Sequence, residues 1–362
     1  MKLPYGFIFG LFHCGGIFPF SCSPNSTIWI KICKYLLAVF NCAMTIFQIL
    51  SLVSLVLYKR EGVSLAFPLM GITVVINRCI LTRQFEELKK ITHQLQKFRV
   101  RKFGSAAWII FLSATCMFTQ GFIMLYRIII IGLRAEASEF LFNFKFQEQN
   151  INEAFGISCD IFIFLIDTLP IIGFKLYYTS VCYHMRNIIT NLGEALLKKS
   201  KPNYDSILQF YTSIKAVVED VDSKLCFLVF NVAVYSACYM YVSIVVILHT
   251  DETPNPIYRI YFYSNFLSII TLFIVMTASA ASVAEASSKV GSIVWRISAV
   301  SSESTLSQLK LLFYSQKGIS LTVWNVVPIS RSFIFGMLGV TFSYTILFDN
   351  LFQIGLVKLA MK

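Results

Sequence analysis

Charged residues are scarce in this chain. They make up 14% of its 362 residues, whereas apolar residues make up 56%, and the mean hydropathy is +0.69. A soluble globular domain carries about 25% charged residues. The shortage of charge and the apolar excess exclude a disordered chain, a coiled coil and a disulfide-held scaffold. They predict a polytopic membrane protein that forms one domain over residues 1–362.

Patterns that carry catalysis or bind metals are also missing. None of the four histidines has a second His or a Cys at metal-ligand spacing. Gly15-Gly16 stands alone rather than within a phosphate-binding loop, and no serine lies in a nucleophile elbow. We therefore expect that the protein is not an enzyme and holds neither a metal nor another cofactor.

Long apolar runs are what the sequence has instead. A membrane-spanning helix needs about 20 mostly apolar residues, and seven stretches meet that length. They are residues 35–58, 63–81, 106–133, 157–183, 225–248, 260–284 and 332–356. Because irregular backbone cannot face lipid, each stretch is predicted to be a helix. The predicted fold class is therefore an all-α, seven-helix membrane protein.

Lysine and arginine are distributed unevenly between the predicted loops. The segment before the first span and the loops after the second, fourth and sixth spans hold most of them. Basic loops stay in the cytoplasm, so the N-terminus is predicted to be cytoplasmic and the C-terminus extracellular. The net charge of +12 is explained by these loops. We expect a lipid bilayer, and no nucleic acid, as the surrounding partner, with a multi-pass location in the plasma membrane.

Three of the basic loops carry apolar residues at helical spacing. The three sets are Phe85, Leu88, Ile91, Leu95 and Phe98; Ile207, Phe210, Ile214, Val217, Val221 and Leu225; and Ile293, Ile297, Val300, Leu306, Leu309 and Leu312. One apolar stripe on each helix predicts that membrane helices extend into the cytoplasm and pack there as an anchor bundle. Helices that lie on anionic lipid are the alternative.

Ionisable residues occur inside the fourth predicted span. Asp160 and Asp167 lie about two turns apart on one face, and Lys175 follows about two turns later. Charge inside a membrane is costly unless it is paired or hydrated. The set predicts either an intramembrane ion pair or the polar wall of a ligand cavity.

A second set flanks the short loop between the fifth and sixth predicted spans and combines aromatic rings with one amide. Its members are Tyr235, Tyr239, Tyr261, Asn265 and Phe266. Such residues form either an interfacial aromatic belt or the wall of a small-molecule pocket. The pocket interpretation makes them, with Asp160 and Asp167, the candidate ligand site.

The last predicted span carries a polar stripe. At about 100° per residue, Ser343, Ile346, Asn350 and Gln353 share one helix face. A polar stripe in lipid must face protein or water. Either it makes hydrogen bonds within one subunit, or several copies around a symmetry axis enclose a pore.

The same span resembles that of the insect gustatory receptors. Their signature is Thr-Tyr, five apolar residues and Gln-Phe. Here Ser343-Tyr344 is followed by five residues that end at Asp349, and then by Asn350-Leu351. Tyr344 matches outright, three positions hold residues of the same chemical type, and Asp349 departs from the pattern. Seven spans, a cytoplasmic N-terminus and a short tail agree with that family over the whole chain, and insect odorant receptors share the architecture.

This resemblance implies a gustatory receptor that acts as a tastant-gated, non-selective cation channel in a chemosensory neuron. The ligand would be a small bitter or other plant-derived compound, and monovalent and divalent cations would pass a central pore. The assembly would be a homotetramer or a complex with related receptors. The implied pore and gate residues are Ser343, Tyr344, Ile346, Asp349, Asn350, Leu351 and Gln353. Asn350 would line the pore, and Leu351 would lie at or near the gate.

Three other classes are alternatives to a gustatory receptor. An insect odorant-receptor-like channel would share the predicted architecture. A G-protein-coupled receptor also has seven spans, but its N-terminus is extracellular, and no Asp-Arg-Tyr follows the third predicted span here. A transporter would show internal repeats, and the sequence has no visible repeat.

Overall fold

A computed structural model describes residues 5–17, 66–98, 164–198, 204–248, 256–300 and 306–360, together with isolated residues within 35–53, 111–121 and 151–161. Within the described helices, some side chains are left undescribed, among them those of Asp167, Tyr261 and Asp349 and all of those from residue 351 onward. Most of the first and third predicted spans, residues 35–58 and 106–133, lies outside the described residues.

The described chain is almost entirely helical. The helices are α1 (Tyr5–Cys14), α2 (Ala66–Lys97), α3 (Leu169–Lys198), α4 (Tyr204–Leu248), α5 (Pro256–Val300), α6 (Leu306–Gln316) and α7 (Arg331–Ala360). A π-helical turn, Phe164–Thr168, leads into α3. An antiparallel hairpin of β1 (Thr322–Val323) and β2 (Val327–Pro328) connects α6 to α7. The all-α fold class is confirmed.

Several helices continue well past the apolar runs that predicted them. α2 runs on from the second predicted span to Lys97, and α3 runs on from the fourth to Lys198. α4 begins at Tyr204, ahead of the fifth predicted span, and α5 continues beyond the sixth to Val300. Within the described part of the chain, two segments are long and apolar enough to cross a membrane, Tyr204–Leu248 and Tyr263–Ser298.

Side-chain hydrogen bonds show that α2 and α3 run parallel. Tyr177 Oη donates to the carbonyl of Leu88 at 2.8 Å, and His184 Nε2 donates to the carbonyl of Leu95 at 2.8 Å. Both bonds advance by the same step along each helix, about two turns. The two helices therefore share one direction and one register over this stretch.

α4 runs antiparallel to α2. Lys224 Nζ lies 3.3 Å from Glu87 Oε2, and further along α4 the Nδ2 atom of Asn231 donates to the carbonyl of Thr73 at 2.7 Å. The α2 partner moves back towards the N-terminus as α4 advances. Because these bonds lie far apart along both helices, they fix the direction of the pair.

α5 runs parallel to α3, and α7 runs antiparallel to α5. A Cβ atom on Gly193 would lie 3.3 Å from Val290, so α3 and α5 touch near their C-terminal ends. Arg331, at the start of α7, pairs with Glu285 late in α5, whereas Phe342 lies against Phe266 early in α5. The even-numbered predicted spans (α2, α3 and α5) thus share one direction, and the fifth and seventh (α4 and α7) run opposite to it.

The extended ends of the helices pack as the predicted bundle, except at Phe210 of α4, which is exposed, and in α6. In α2, the buried residues are Phe85, Leu88, Ile91 and Leu95, as predicted. In α6 the prediction is wrong, because Leu306 and Leu309 are exposed and the buried face carries Gln308 and Leu311. Contacts outside the apolar pattern set the orientation of this short helix: Ser307 Oγ donates to Asp205 of α4.

The short helix α1 is not among the predicted elements. Its Tyr5, Ile8 and Phe12 are buried, and it packs against α3. The approach is close, because a Cβ on Gly15 would lie 2.8 Å from Pro170 Cγ. The N-terminal segment is therefore part of the core of the bundle.

Candidate ligand cavity and pore helix

A small cavity lies between α3, α4 and α5. Each helix contributes residues spaced three or four apart, so each presents one face to it. The wall consists of Phe164, Thr168, Ile171, Ile172, Lys175, Tyr235, Tyr239, Asn265, Ile269 and Leu272. Phe164 and Thr168 are the two ends of the π-helical turn. π-helical turns occur frequently at functional sites, so the cavity is a candidate ligand site.

Three of the predicted pocket residues lie together on this wall. Tyr235 and Tyr239 are one turn apart on α4 with ring centroids 6.0 Å apart, and Asn265 faces them from α5. Phe266, the next residue, is outside the wall and lies edge-on to Phe342 of α7 at 6.3 Å. Asp160 and the side chains of Asp167 and Tyr261 lie outside the described residues.

Two buried hydrogen-bond donors of the wall have no acceptor among the described residues. Lys175 is 2% exposed, and within this part of the chain no hydrogen bond or ion pair to it is found. Asn265 is 5% exposed, and its Nδ2 has no hydrogen-bond partner among the described residues. Buried polar groups are nearly always hydrogen-bonded, so both donors mark a place where an acceptor is to be expected.

The cavity is small in this arrangement. Its volume is about 40 Å³, which holds a few water molecules at roughly 10–15 Å³ each. Drug-sized ligands occupy pockets of about 300–1,000 Å³. The site therefore admits a ligand of a few heavy atoms directly and a larger one only after side chains such as Tyr239 rotate.

The start of α7 is fixed by α4 and α5, which also build the cavity. Asp222 of α4 accepts hydrogen bonds from the backbone N–H and the Oγ1 hydroxyl of Thr322, both at 2.7 Å. Arg331 makes a bidentate pair with Glu285 of α5, with Nε–Oε1 at 2.6 Å and Nη2–Oε2 at 2.9 Å. Polar contacts thus hold the hairpin to α4 and the first residue of α7 to α5.

The hairpin before α7 also packs onto α4 through an aromatic cluster. Trp324 has a ring centroid 4.6 Å from that of Phe230 and 5.9 Å from that of Phe227. Its φ of 52° and that of Asn325, 55°, lie in the left-handed region, which is uncommon for a large side chain. The turn places the indole on α4, so packing there compensates for the backbone strain.

As far as residue 350, helix α7 packs on the rest of the described chain along one narrow face. Its buried residues Ile334, Thr341 and Thr345 follow helical spacing. The predicted pore residues that the structure describes, Ser343, Tyr344, Ile346 and Asn350, are all exposed. Asp349, Leu351 and Gln353 lie further along α7, with side chains outside the described residues.

Metal chemistry has no candidate among the described residues. No three His, Cys, Asp or Glu side chains there lie close enough together to hold an ion. Polar side chains lie together at the cavity and at the entry to α7.

The described chain is a helical bundle with two long apolar segments and a small cavity between α3, α4 and α5. No family model matches the sequence, and no curated protein is similar to it. The fold is similar to that of the insect olfactory receptor OR5 from Machilis hrabei, with a TM-score of 0.71, 14% identity and coverage of 95% of this chain and 96% of that one.

The same receptor solved in complex with eugenol is similar with a TM-score of 0.64 and 16% identity, over 96% of this chain and 98% of that one. The chain therefore has the fold of an insect olfactory receptor over nearly its whole length.

Proposed function

We propose that this protein is a chemoreceptor, a ligand-gated non-selective cation channel of the insect odorant-receptor-like type. The observation that carries the proposal is the likeness of fold to an insect olfactory receptor over 95% of the chain. The cavity between α3, α4 and α5 and the contacts of α5 with α7 support a ligand site and a route to a gate.

The proposed topology has seven membrane-spanning helices, a cytoplasmic N-terminus and an extracellular C-terminus. The directions of the described helices support it. α2, α3 and α5 hold the second, fourth and sixth predicted spans and share one direction. α4 and α7, which hold the fifth and seventh, run opposite, as one membrane crossing per predicted span requires. The sequon Asn25-Ser26-Thr27 tests this topology. A cytoplasmic segment is not glycosylated, so a glycan on Asn25 in cells would contradict the orientation.

The proposed pore is formed by α7 helices of four subunits, in a homotetramer or with related receptors. The exposed face of α7 supports this assembly, because a helix in lipid turns polar residues such as Ser343 and Asn350 towards protein or water. Cations would pass along these residues, and Leu351 would close the pore by dewetting. A ligand that binds more tightly to the open arrangement would open it.

The proposed ligand is a small molecule in the cavity. The relative was solved with eugenol bound, and the cavity wall here combines aromatic rings with a few polar groups. Calcium imaging of cells that express the receptor, with a chemically varied panel of small molecules, tests the proposal. We expect responses to a subset of the panel, and these should disappear when Tyr239 is replaced by Ala.

A taste receptor is the second candidate. The observation in its favour is the resemblance of Ser343–Leu351 to the gustatory signature, whereas the fold comparison names olfactory receptors. Expression in contact chemosensory neurons would favour the taste function. Expression in olfactory neurons alone would favour the odorant-receptor-like function. A G-protein-coupled receptor gains no support from this fold.

A further inference from the structure

Two donors of the cavity wall, Lys175 and Asn265, have no acceptor among the described residues. Lys175 carries a primary ammonium group. Its neighbours on α3, Phe174 and Leu176, are at most 2% exposed. A lysine near a helix end would extend its charge to the water interface, but Lys175 is itself only 2% exposed. Its charge therefore points into the protein, towards the cavity that it lines.

A buried charge without a partner is strongly unfavourable. No carboxylate among the described side chains lies within ion-pair distance of Lys175. Asn265 of α5 contributes a second donor to the cavity wall, and its Nδ2 has no acceptor within the described residues. Two such donors in the wall of one cavity predict that the cavity binds a molecule with two acceptor atoms in one chemical group.

We propose that the cavity binds a small carboxylate, with one oxygen on Lys175 Nζ and the other on Asn265 Nδ2. The remainder of the wall is aromatic or aliphatic, with Ile171, Ile269 and Leu272 opposite the rings of α4. It therefore accommodates a short apolar or aromatic body. Uncharged isosteres leave the ammonium unpaired, and sites built around such bonds reject analogues that lack the bonding group. This inference rests on the proposed function only for the statement that binding opens a channel.

Binding to the purified full-length protein in lipid nanodiscs tests the inference directly. The probes are propionate and benzoate, each compared with its amide, which has the same shape without the charge. Because hydrogen bonds to charged groups contribute more than neutral ones, we expect each carboxylate to bind at least about tenfold more tightly than its amide. Equal affinity for acid and amide, or no binding of either acid, overturns the inference.

Substitutions in α3 test whether Lys175 is the residue that binds the carboxylate. Lys175→Met keeps the length of the side chain and removes its charge, so the preference for carboxylate over amide should disappear. The variant protein should unfold at a higher temperature without ligand, because an unpaired buried charge is gone, and benzoate should no longer raise that temperature. Lys198→Met is the matched control on the same helix, since its side chain is 77% exposed and pairs with Glu194; it should behave as the wild type. Carboxylate binding that survives Lys175→Met contradicts the assignment.

Current recordings separate the inference from the proposed function. Benzoate that binds through Lys175 but evokes no current, in a protein that no other ligand opens either, contradicts the channel and supports the carboxylate site. Currents evoked by uncharged ligands alone, with no carboxylate binding, support the channel and overturn the carboxylate site.

Discussion

His184 is the residue at which acid should weaken the protein. It is 2% exposed, and its Nε2 donates to the carbonyl of Leu95 on α2. Burial is the main cause that lowers the pKa of His184 below its usual value, and the bond to Leu95 opposes this shift only in part. The unfolded chain therefore takes up the proton first as pH falls.

We expect the wild-type protein to lose thermal stability as pH falls through about 6.5, the usual pKa of histidine. The site contributes stability above that pH, and the contribution decreases below it. His184→Gln retains a donor for Leu95 and cannot be protonated, so its unfolding temperature should depend less on pH between 7 and 5. Parallel curves for the two proteins would show that His184 does not carry the effect.

At the scale of elements, the packing of α1 depends on a glycine. A Cβ on Gly15 would meet Pro170 at 2.8 Å, whereas one on Gly10 meets nothing within 4 Å. Gly15→Ala should lower the unfolding temperature, with a cost of about 1–3 kcal/mol from overpacking. Gly10→Ala, within α1, should be neutral or slightly stabilising because alanine favours helix. Thermal unfolding in detergent compares the two, and equal effects would contradict the close contact.

The Glu285–Arg331 pair is the polar contact that connects the end of α5 to the start of α7. Its hydrogen bonds raise the pKa of Arg331, so the guanidinium stays charged at physiological pH. Both side chains are largely exposed, at 47% and 74%, so the pair should matter little for stability. Its position predicts an effect on gating instead.

We expect Glu285→Gln to raise the ligand-independent current severalfold, because it releases α7 from the arrangement described here. The exchanged double variant Glu285→Arg/Arg331→Glu should restore the low current. Whole-cell recordings measure both. A double variant that behaves like the single variant would show that the pair does not act as a connection.

Sequence patterns predicted the elements better than their contacts. The stripe from Phe85 to Leu95 is a regular period in a long helix, and it is buried as predicted. α6 has only three turns, and its contacts to α4, rather than its apolar period, determine which of its faces is buried. The burial of α1 depends on contacts with α3, which is far away in sequence. The ten residues of α1 contain no pattern that predicts this packing. Tyr235, Tyr239 and Asn265 were found from composition near one loop, but only the fold brings Lys175 to them.

At the scale of the whole molecule, the exposed face of α7 should determine which ions pass. Asn350 is exposed and lies in the polar stripe, so Asn350→Ala should change the relative permeability of sodium, potassium and calcium. Ligand preference should stay the same, because the cavity lies on α3, α4 and α5. Reversal potentials in mixed-ion solutions give the permeability ratios. Unchanged ratios would argue against a pore along this face.

A separate prediction concerns the role of Asp349 in the assembled channel. Four copies of this acid near the gate would concentrate cations at the pore. Asp349→Asn should lower single-channel conductance, most strongly at low ionic strength, where charge is least screened. Conductance and divalent block that are the same in both proteins would exclude Asp349 from the conduction path.

The most direct test of the account is a whole-cell recording from cells that lack other chemoreceptors and express only this chain. A panel that includes small carboxylates, their amides and neutral aromatic compounds should evoke an inward current that reverses near 0 mV (the reversal of a non-selective cation pore) and that begins without a G-protein-dependent delay. A receptor that reaches the cell surface and gives a second-messenger signal, but no current of its own with any ligand, would contradict the account.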